Sequence, residues 1–333
     1  MNILTPFSSI EQMRDLISVG ATELFCGYFP SELINQFNSD DQLPFLTIPL
    51  NKRANISANL TSIDELKKAV RIADEKKVKL FVAINSLSYP DVLWQYLEEY
   101  IHTIEAIGIK HCIISDIGLM EYLSTNSKLK ITVSCLNNVF NTYQVQFYKQ
   151  FHVERIVFPR HIPINTMIQI CNENPDMDFE YFILSDKCIY DDGNCHCNHM
   201  IGTFCGDVWN SEYYSRKWND LSDDEQTQLR SNEYTFMRWA RSIDVANKSQ
   251  HRWKSIGCSI CSLASTLCIP NIVSLKVVGR GYGINGLKHL ITATNNAISI
   301  AKGRNIRSLQ KYAKTVFENP QMCETNHFCI IRG

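Results

Sequence analysis

No run of 18 consecutive apolar residues occurs in this chain, so the sequence predicts no membrane-spanning helix. The first residues also lack a charged segment followed by a long apolar one, which a secretory signal would show. An odd count of 13 cysteines argues against a disulfide framework and for thiols that are kept reduced. We therefore expect a cytoplasmic protein without a membrane partner.

An excess of charge of either sign is also missing, because 33 basic residues face 34 acidic ones. A global positive field that would attract phosphates is thus absent, which disfavours a large RNA as substrate. A small local basic patch is still compatible with this composition. The sequence therefore leaves nucleic-acid binding open.

Several catalytic motifs are absent as well. The chain has no GxSxG, HExxH or P-loop pattern, so the serine hydrolase, zincin and P-loop NTPase classes lose their usual support. With 333 residues, of which 45% are hydrophobic, it can bury a full core as one large domain or two smaller ones.

Short apolar runs recur at intervals of roughly 20 to 30 residues, with helical patterns between them. Capping signals at Ser9–Gln12 and Ser62–Glu65 mark two helix starts. This rhythm of βα units favours a (β/α)8 TIM-barrel-like parallel barrel, with a doubly wound open sheet as the alternative. The predicted strands are 3–5, 23–26, 55–57, 80–85, 112–116, 131–134, 155–158 and 179–184, and the pattern resumes at 272–280.

Residues 206–257 interrupt this rhythm and hold four of the five tryptophans. We predict that they form an inserted helical segment or lid, with a plain amphipathic helical pair as the alternative. The predicted organisation is therefore a first barrel part at 1–205, the insertion at 206–257 and barrel completion with C-terminal helices at 258–333.

Polar residues follow several predicted strands, where barrel enzymes place their chemistry. They could contact a substrate, although Asn and Asp at such positions also cap helices. A glycine motif at 279–286 follows the last strand and predicts either an anion site or a tight turn. The candidate substrate contacts are Asn85, Asp116, Asn138, Arg160, Lys276 and Arg280.

Cysteines are concentrated in one stretch, since four of the 13 lie within residues 188–205. A close pair, Cys258-x2-Cys261, follows later. Several thiolates near one point suit a metal or an iron–sulfur cluster. Irregular spacing favours a [4Fe–4S] cluster, whereas a structural zinc site usually shows two close pairs, and buried thiols that only pack are the third possibility. The candidate ligands are Cys188, Cys195, Cys205, Cys258 and Cys261, and His196 and His199 could also ligate.

A cysteine-peptidase site is the catalytic alternative. It would need a thiolate paired with a histidine, such as Cys197 or Cys205 with His199 or His251. Clustered thiols compete with this arrangement because they act as ligands.

These motifs resemble the collagenase-like peptidases of undetermined catalytic type, whose relatives include the UbiU and UbiV proteins of anaerobic ubiquinone synthesis. The family signature ExFxxG…Cx4GxC is matched in spacing, except that Ser185 replaces a glycine. The family's KIEGR motif appears with Val278 in place of glutamate. Segments that resemble the family are 9–25, 83–85, 114–118, 134–141, 159–160, 180–195, 202–205 and 276–280.

The resemblance implies a barrel and a [4Fe–4S] cluster on Cys188, Cys195, Cys205 and either Cys258 or Cys261. It also implies an oxygen-independent hydroxylase acting on a small molecule, peptide or RNA, with prephenate as hydroxyl donor. Two alternatives are a peptidase and a non-catalytic iron–sulfur subunit. Expected partners are a related family subunit in a heterodimer, or further copies of this chain.

Overall fold

The protein folds as a barrel of parallel strands surrounded by helices. The computed structural model describes residues 1–31, 50–53, 55–185, 188, 192–195, 218–248, 257–317, 323 and 329–331. Its strands are β1 (Asn2–Pro6), β2 (Glu23–Tyr28), β3 (Asn59–Leu60), β4 (Lys79–Ile84), β5 (His111–Ile114), β6 (Lys130–Val133), β7 (Arg155–Val157), β8 (Asp178–Leu184) and β9 (Ile272–Val277).

Eight of these strands close into a ring, because β1 is hydrogen-bonded in parallel to both β2 and β9. Around the ring the order is β1-β2-β4-β5-β6-β7-β8-β9, and every pair is parallel. The ninth described strand, β3, only extends the carboxyl end of β2. The predicted TIM-barrel-like fold is confirmed, and the open sheet is excluded.

The predicted strand at 55–57 is wrong. Residues Ile56–Ala58 form a 3₁₀ turn, in which Asn55 caps the chain by accepting a hydrogen bond from Ser57 N. The eighth barrel strand is β9 instead, which lies between β8 and β1 although residues 185–271 separate it from β8 in sequence.

Helices connect successive strands on the outside of the barrel, and capping residues set their ends. Ser9 and Ser62 accept hydrogen bonds from Gln12 N and Asp64 N, as the capping signals predict. The helices are α1 (Ile10–Ser18), α2 (Ile63–Lys76), α3 (Trp94–Ile107), α4 (Ile117–Asn126), α5 (Thr142–Lys149), α6 (Ile164–Glu173), α7 (Asp223–Lys248), α8 (Leu263–Thr266), α9 (Ile284–Ala301) and α10 (Ile306–Val316).

Helix α7 lies within the predicted insertion at 206–257. The proposed domain division stays a prediction, because residues 196–217 and 249–256 lie outside the described residues. None of the described helices has the length and apolar character needed to cross a membrane.

The core has two layers, since side chains alternate across each strand. One set packs between strands and helices and includes Leu24, Val82 and Cys112. The alternate residues face the barrel interior, where Phe25, Phe81 and their neighbours form a small apolar cluster. A buried charged group also lies in the barrel and joins four strands.

This interior charged group consists of two acids and two bases. Arg155 binds Glu23 with both terminal nitrogens, at 2.7 and 2.9 Å, and reaches Glu180 at 3.0 Å. Lys276 Nζ binds the other oxygen of Glu180 at 2.7 Å, and Ser274 donates to Glu23 at 2.8 Å. Because the charges balance and each acid is hydrogen-bonded, the group tolerates near-complete burial.

Candidate active site

The carboxyl ends of the barrel strands form the mouth of the barrel. Asn85 follows β4, Asn138 follows the turn after β6, Arg160 lies after β7 and Arg280 after β9. Parallel strands end at the same rim, so four of the six predicted substrate contacts are brought to one side of the molecule.

A cysteine-bearing segment is held against this mouth. We call Cys188 and residues 192–195 the mouth segment. Asp192 forms an ion pair with the Arg160 guanidinium and accepts a hydrogen bond from Arg160 N at 2.9 Å. That guanidinium also lies over the Phe182 ring, 3.9 Å from its centre. Gly193 N donates to Asn138 Oδ1 at 3.1 Å, so Asn138 and Arg160 both position the segment.

Two further contacts hold the ends of the mouth segment. Lys52 Nζ donates to the carbonyl oxygen of Cys195 at 2.7 Å, while Lys52 N donates to Asn85 Oδ1 at 3.3 Å. At the other end, His161 Nε2 lies 2.9 Å from the carbonyl oxygen of Cys188. Polar contacts thus tie the segment to the loop before β3 and to the loops after β6 and β7.

Arg280 provides a buried positive charge at the mouth. It is 6% exposed, and its Nη2 donates to Asn51 Oδ1 at 2.9 Å. Its Nε and Nη1 have no hydrogen-bond partner among the described residues. Asn51 is itself held by Asn59, whose Oδ1 accepts from Asn51 Nδ2 at 2.9 Å. We call Arg280, Asn51 and Asn59 the arginine pocket.

Gly27 makes room for this pocket. A Cβ at this position would lie 2.6 Å from Arg280 Nη1 and 2.7 Å from Asn51 Nδ2. Burial, with the nearby charge of Arg53, lowers the pKa of Arg280 to about 9. Since this pKa is above neutral pH, the Arg280 guanidinium is charged at pH 7, and the pocket favours binding of an anion.

The glycine motif forms a tight turn between β9 and α9. Tyr282 N donates to Gly279 O at 2.8 Å, and both Gly279 and Gly281 have positive φ, at 130° and 89°. These angles are accessible to glycine at little cost. The turn places Arg280 at the mouth, so the motif contributes the arginine rather than a phosphate-binding loop of backbone amides.

The other two predicted contacts are engaged within the fold, Lys276 in the barrel interior and Asp116 at the start of α4. Lys276 is part of the interior charged group, with its Nζ bound to Glu180 and 4.7 Å from the centre of the Phe25 ring. Asp116 caps α4 by accepting from Leu119 N at 2.6 Å, and its second oxygen accepts from Tyr89 N at 3.1 Å. Asp116 is therefore a helix cap, which is the alternative role predicted for Asn and Asp at strand ends.

Seven of the described thiols fall into two groups, and Cys26, Cys112, Cys171 and Cys268 belong to neither. Cys135 lies in the turn after β6 and is close enough to Cys188, Asp192 and Arg160 for their charges to affect it, although burial has the largest effect and raises its pKa. Cys258 and Cys261 instead lie beside two cysteines near the C-terminal end, Cys323 and Cys329. The predicted ligand Cys205 lies outside the described residues, as do Cys197, His196, His199 and His251.

The residues at the mouth are of the right kind to hold an iron–sulfur cluster. Cys135, Cys188 and Cys195 all belong to this region, and cysteine thiolates are the usual ligands of such clusters. In the conformation of the described residues, no three Cys, His, Asp or Glu side chains converge on one point that could hold a metal ion. The cluster assignment therefore stays a prediction.

The sequence did not point to three features of the mouth. These are Asn51 and Asn59 of the arginine pocket, Lys52 with its hydrogen bond to the Cys195 carbonyl, and the thiol of Cys135. The run Asn51-Lys52-Arg53 was a usable signal, since it places two bases beside a short strand. Cys323 and Cys329 were also missed, although they form a second close cysteine pair. These residues are far in sequence from the predicted site residues, and they become neighbours only when the barrel closes.

Curated relatives share part of this chain. The tRNA hydroxylation protein P of Escherichia coli is 22% identical over 197 residues, which are 58% of this chain and 38% of that protein. The proteins of the same name from Haemophilus influenzae and Helicobacter pylori strain J99 are 23% and 20% identical, over 58% and 59% of this chain. The matched region covers only 37% and 42% of those two relatives.

Among solved structures, that of the U32 peptidase Mk0906 is 10% identical and superposes with a TM-score of 0.41. It covers 55% of this chain and 69% of its own. The family model for peptidase family U32 matches residues 8–329, which is nearly the whole sequence. The resemblance inferred from the motifs is confirmed, and this chain belongs to peptidase family U32.

Proposed function

We propose that this chain takes part in an oxygen-independent hydroxylation at the barrel mouth. In this reaction a C–H bond of the substrate becomes C–OH, and a hydroxyl-bearing donor gives up its oxygen and accepts the hydrogen in exchange. The names of the curated relatives, tRNA hydroxylation protein P, support hydroxylation and suggest tRNA as the substrate class.

The arginine pocket carries the proposal. A buried guanidinium whose Nε and Nη1 lack hydrogen-bond partners among the described residues keeps N–H donors for an anion, and a carboxylate is an anion that guanidinium groups bind well. Asn51 holds the third nitrogen and so orients the guanidinium toward the ligand. A carboxylate donor of the prephenate type matches this chemistry, and its charge would offset the cost of burying Arg280.

A [4Fe–4S] cluster is the proposed cofactor and would supply electron transfer or Lewis-acid chemistry at the mouth. Cys188, Cys195 and Cys205 would hold it. The family resemblance implies Cys258 or Cys261 as the fourth ligand, and Cys135, which lies close enough to Cys188 for their charges to interact, is a further candidate.

The chain's own residues have three tasks in this mechanism. Arg280 and Asn51 would bind and orient the donor, while the Arg160–Asp192 pair keeps the mouth segment in place. Lys52 ties the carbonyl of Cys195 to the loop that also carries Asn51. Cofactor and donor sites would therefore share the loop that carries Asn51 and Lys52.

Measuring prephenate binding tests directly whether the arginine pocket binds the carboxylate donor. Arg280→Lys keeps a positive charge but loses the planar fork, so we expect prephenate binding to weaken at least tenfold, or about 1.4 kcal/mol. Isothermal titration calorimetry on anaerobically purified protein measures this. Arg71→Lys, on the exposed face of α2, is the matched control. Equal prephenate affinity in the wild-type chain and the Arg280 variant would contradict the donor site.

Cofactor and substrate need separate measurements. Anaerobic purification should yield a brown protein with about four irons and four sulfides per chain. Hydroxylated nucleosides in tRNA should decrease in anaerobic cells that lack this chain and return with it. A colourless protein would exclude the cluster, and unchanged tRNA nucleosides would exclude tRNA as the substrate.

A peptidase is the second candidate, because the family carries that name. The thiols and histidines that this candidate would use, Cys197, Cys205, His199 and His251, lie outside the described residues. Peptide cleavage that survives Cys188→Ala, while iron is lost, would favour the peptidase over the hydroxylase.

A further inference from the structure

Six non-glycine residues of the described chain have a positive φ, and they fall into two sets. Three of them follow the ends of helices, where a single left-handed residue is common: Lys77, His152 and Arg304. The other three follow β6, β7 and β8 at the barrel mouth, and their φ angles are 49°, 69° and 72°: Asn138, His161 and Ser185. Because this conformation is strained for a residue with a Cβ, it persists only where the surroundings require it.

Two of the three left-handed mouth residues use their side chains to bind the mouth segment. Asn138 Oδ1 accepts from Gly193 N at 3.1 Å, and His161 Nε2 lies 2.9 Å from the carbonyl oxygen of Cys188. The hydroxyl of Ser185 instead has no hydrogen-bond partner among the described residues, although the residue is only 3% exposed. Burial of an unpaired hydroxyl is unfavourable, and backbone strain adds to it. Two separate costs at one residue indicate a bound molecule as the partner.

The strand register places Ser185 on the inner side of the mouth, beside the strand that leads to Arg280. Leu184 is paired with Val277 on β9, so Ser185 comes level with Val278. Both β9 residues of the interior charged group face the barrel interior, and alternation along the strand gives Val278 the same side. Arg280 follows two positions later, with two nitrogens that have no partner among the described residues. Ser185 and Arg280 thus offer unused hydrogen-bond donors at the same opening.

We propose that Ser185 is a ligand-binding residue, whose hydroxyl donates a hydrogen bond to a carboxylate oxygen of the molecule that Arg280 holds. This inference rests on the proposed function and adds a second contact, from the neighbouring strand β8. Hydrogen bonds to an ionised acceptor are the stronger kind, so this contact offsets both the strain and the burial of Ser185. A donor with two carboxylates, such as prephenate, would place one on Arg280 and the other on Ser185. Ser185 would therefore favour dicarboxylates over monocarboxylates.

Two variants of the full-length chain separate the hydroxyl from the backbone. Ser185→Ala removes the hydroxyl and keeps a Cβ in the strained conformation, whereas Ser185→Gly removes both and restores the residue of the family signature. Both should bind prephenate about tenfold more weakly in isothermal titration calorimetry. Without prephenate, Ser185→Gly should melt at a higher temperature than Ser185→Ala, because glycine adopts a positive φ at little cost. His152→Gly is the matched control: it relieves a φ of 54° at an exposed position opposite the mouth and should leave prephenate affinity unchanged.

The possible results separate this contact from the proposed function. Unchanged prephenate affinity in both Ser185 variants, together with weaker binding by Arg280→Lys, would overturn the Ser185 contact and leave the donor site standing. A wild-type chain that does not bind prephenate would overturn both. Loss of iron from Ser185→Gly would also overturn the contact, because weaker binding would then result from damage to the mouth segment. Unchanged tRNA nucleosides in cells that lack this chain would reject only tRNA as the substrate, since prephenate binding is measured without tRNA.

Discussion

At the scale of single residues, the space left by one missing side chain shapes the arginine pocket. Gly27 lies at the end of β2 directly against Asn51, Asn59 and Arg280. A methyl group there would overlap all three, so the pocket depends on a glycine that has an ordinary, non-positive φ. Glycine is required at position 27 because a side chain would not fit there, not because of its backbone angles.

Gly27→Ala should therefore damage the pocket. Overpacking of this kind costs about 1 to 3 kcal/mol, and the displaced guanidinium should bind prephenate at least tenfold more weakly. Calorimetry and a thermal melt measure the two effects. Gly283→Ala is the matched control, because a Cβ there meets nothing within 4 Å. Prephenate affinity that is unchanged in Gly27→Ala would argue against a ligand in this pocket.

At the scale of elements, a small polar cluster joins three neighbouring strands at the end of the barrel opposite the mouth. His111 begins β5, Lys130 begins β6 and Glu154 precedes β7. Glu154 binds His111 Nδ1 and Lys130 Nζ, each at 3.2 Å. Hydrogen bonding to His111, ahead of the opposing effect of burial, lowers the pKa of Glu154 to about 2.

This shift predicts a loss of stability in acid. Since the folded pKa of Glu154 lies below its ordinary value of 4.5, its contribution is complete above pH 4.5 and disappears as the pH falls toward 2. Allowing for partial exposure, we expect about 1 kcal/mol. Urea denaturation between pH 6 and 3 measures it. Glu154→Gln should flatten that part of the profile, whereas Glu75→Gln, at an exposed position of α2, should not. A profile unchanged by Glu154→Gln would contradict the assignment.

At the scale of the whole molecule, the interior charged group connects strands on different sides of the barrel. Arg155 on β7 binds Glu23 on β2, and Glu180 on β8 binds both Arg155 and Lys276 on β9. Burial would raise the pKa of Glu23, but the Arg155 guanidinium outweighs it, so that pKa is lowered. The four charges act as one unit because each acid contacts at least one base.

Breaking this unit should destabilise the entire barrel. Glu23→Gln leaves Arg155 with an uncompensated part of its charge in the interior, which costs about 3 kcal/mol or more. The free energy of unfolding in urea measures the loss, with the exposed Glu11→Gln as the control. A change below about 0.5 kcal/mol would show that the pairs contribute little beyond filling the interior.

The sequence by itself determined the barrel class, the helix caps at Ser9 and Ser62, and the family, because periodicity, capping and motif spacing are local properties. It also pointed to Asn138, Arg160 and Arg280, since polar residues that follow parallel strands come to one rim. Local pattern misplaced the strand at 55–57, where apolar residues form a turn instead.

Only the tertiary structure decided what these residues contact. Ring closure brings Asn51 from the loop before β3 to Arg280 after β9, and it joins Glu23 to Arg155 across 132 positions. It likewise brings Cys329 beside Cys258 and Cys135 toward Cys188. Such pairings join residues far apart in the chain and depend on the register of eight strands, which no local spacing encodes.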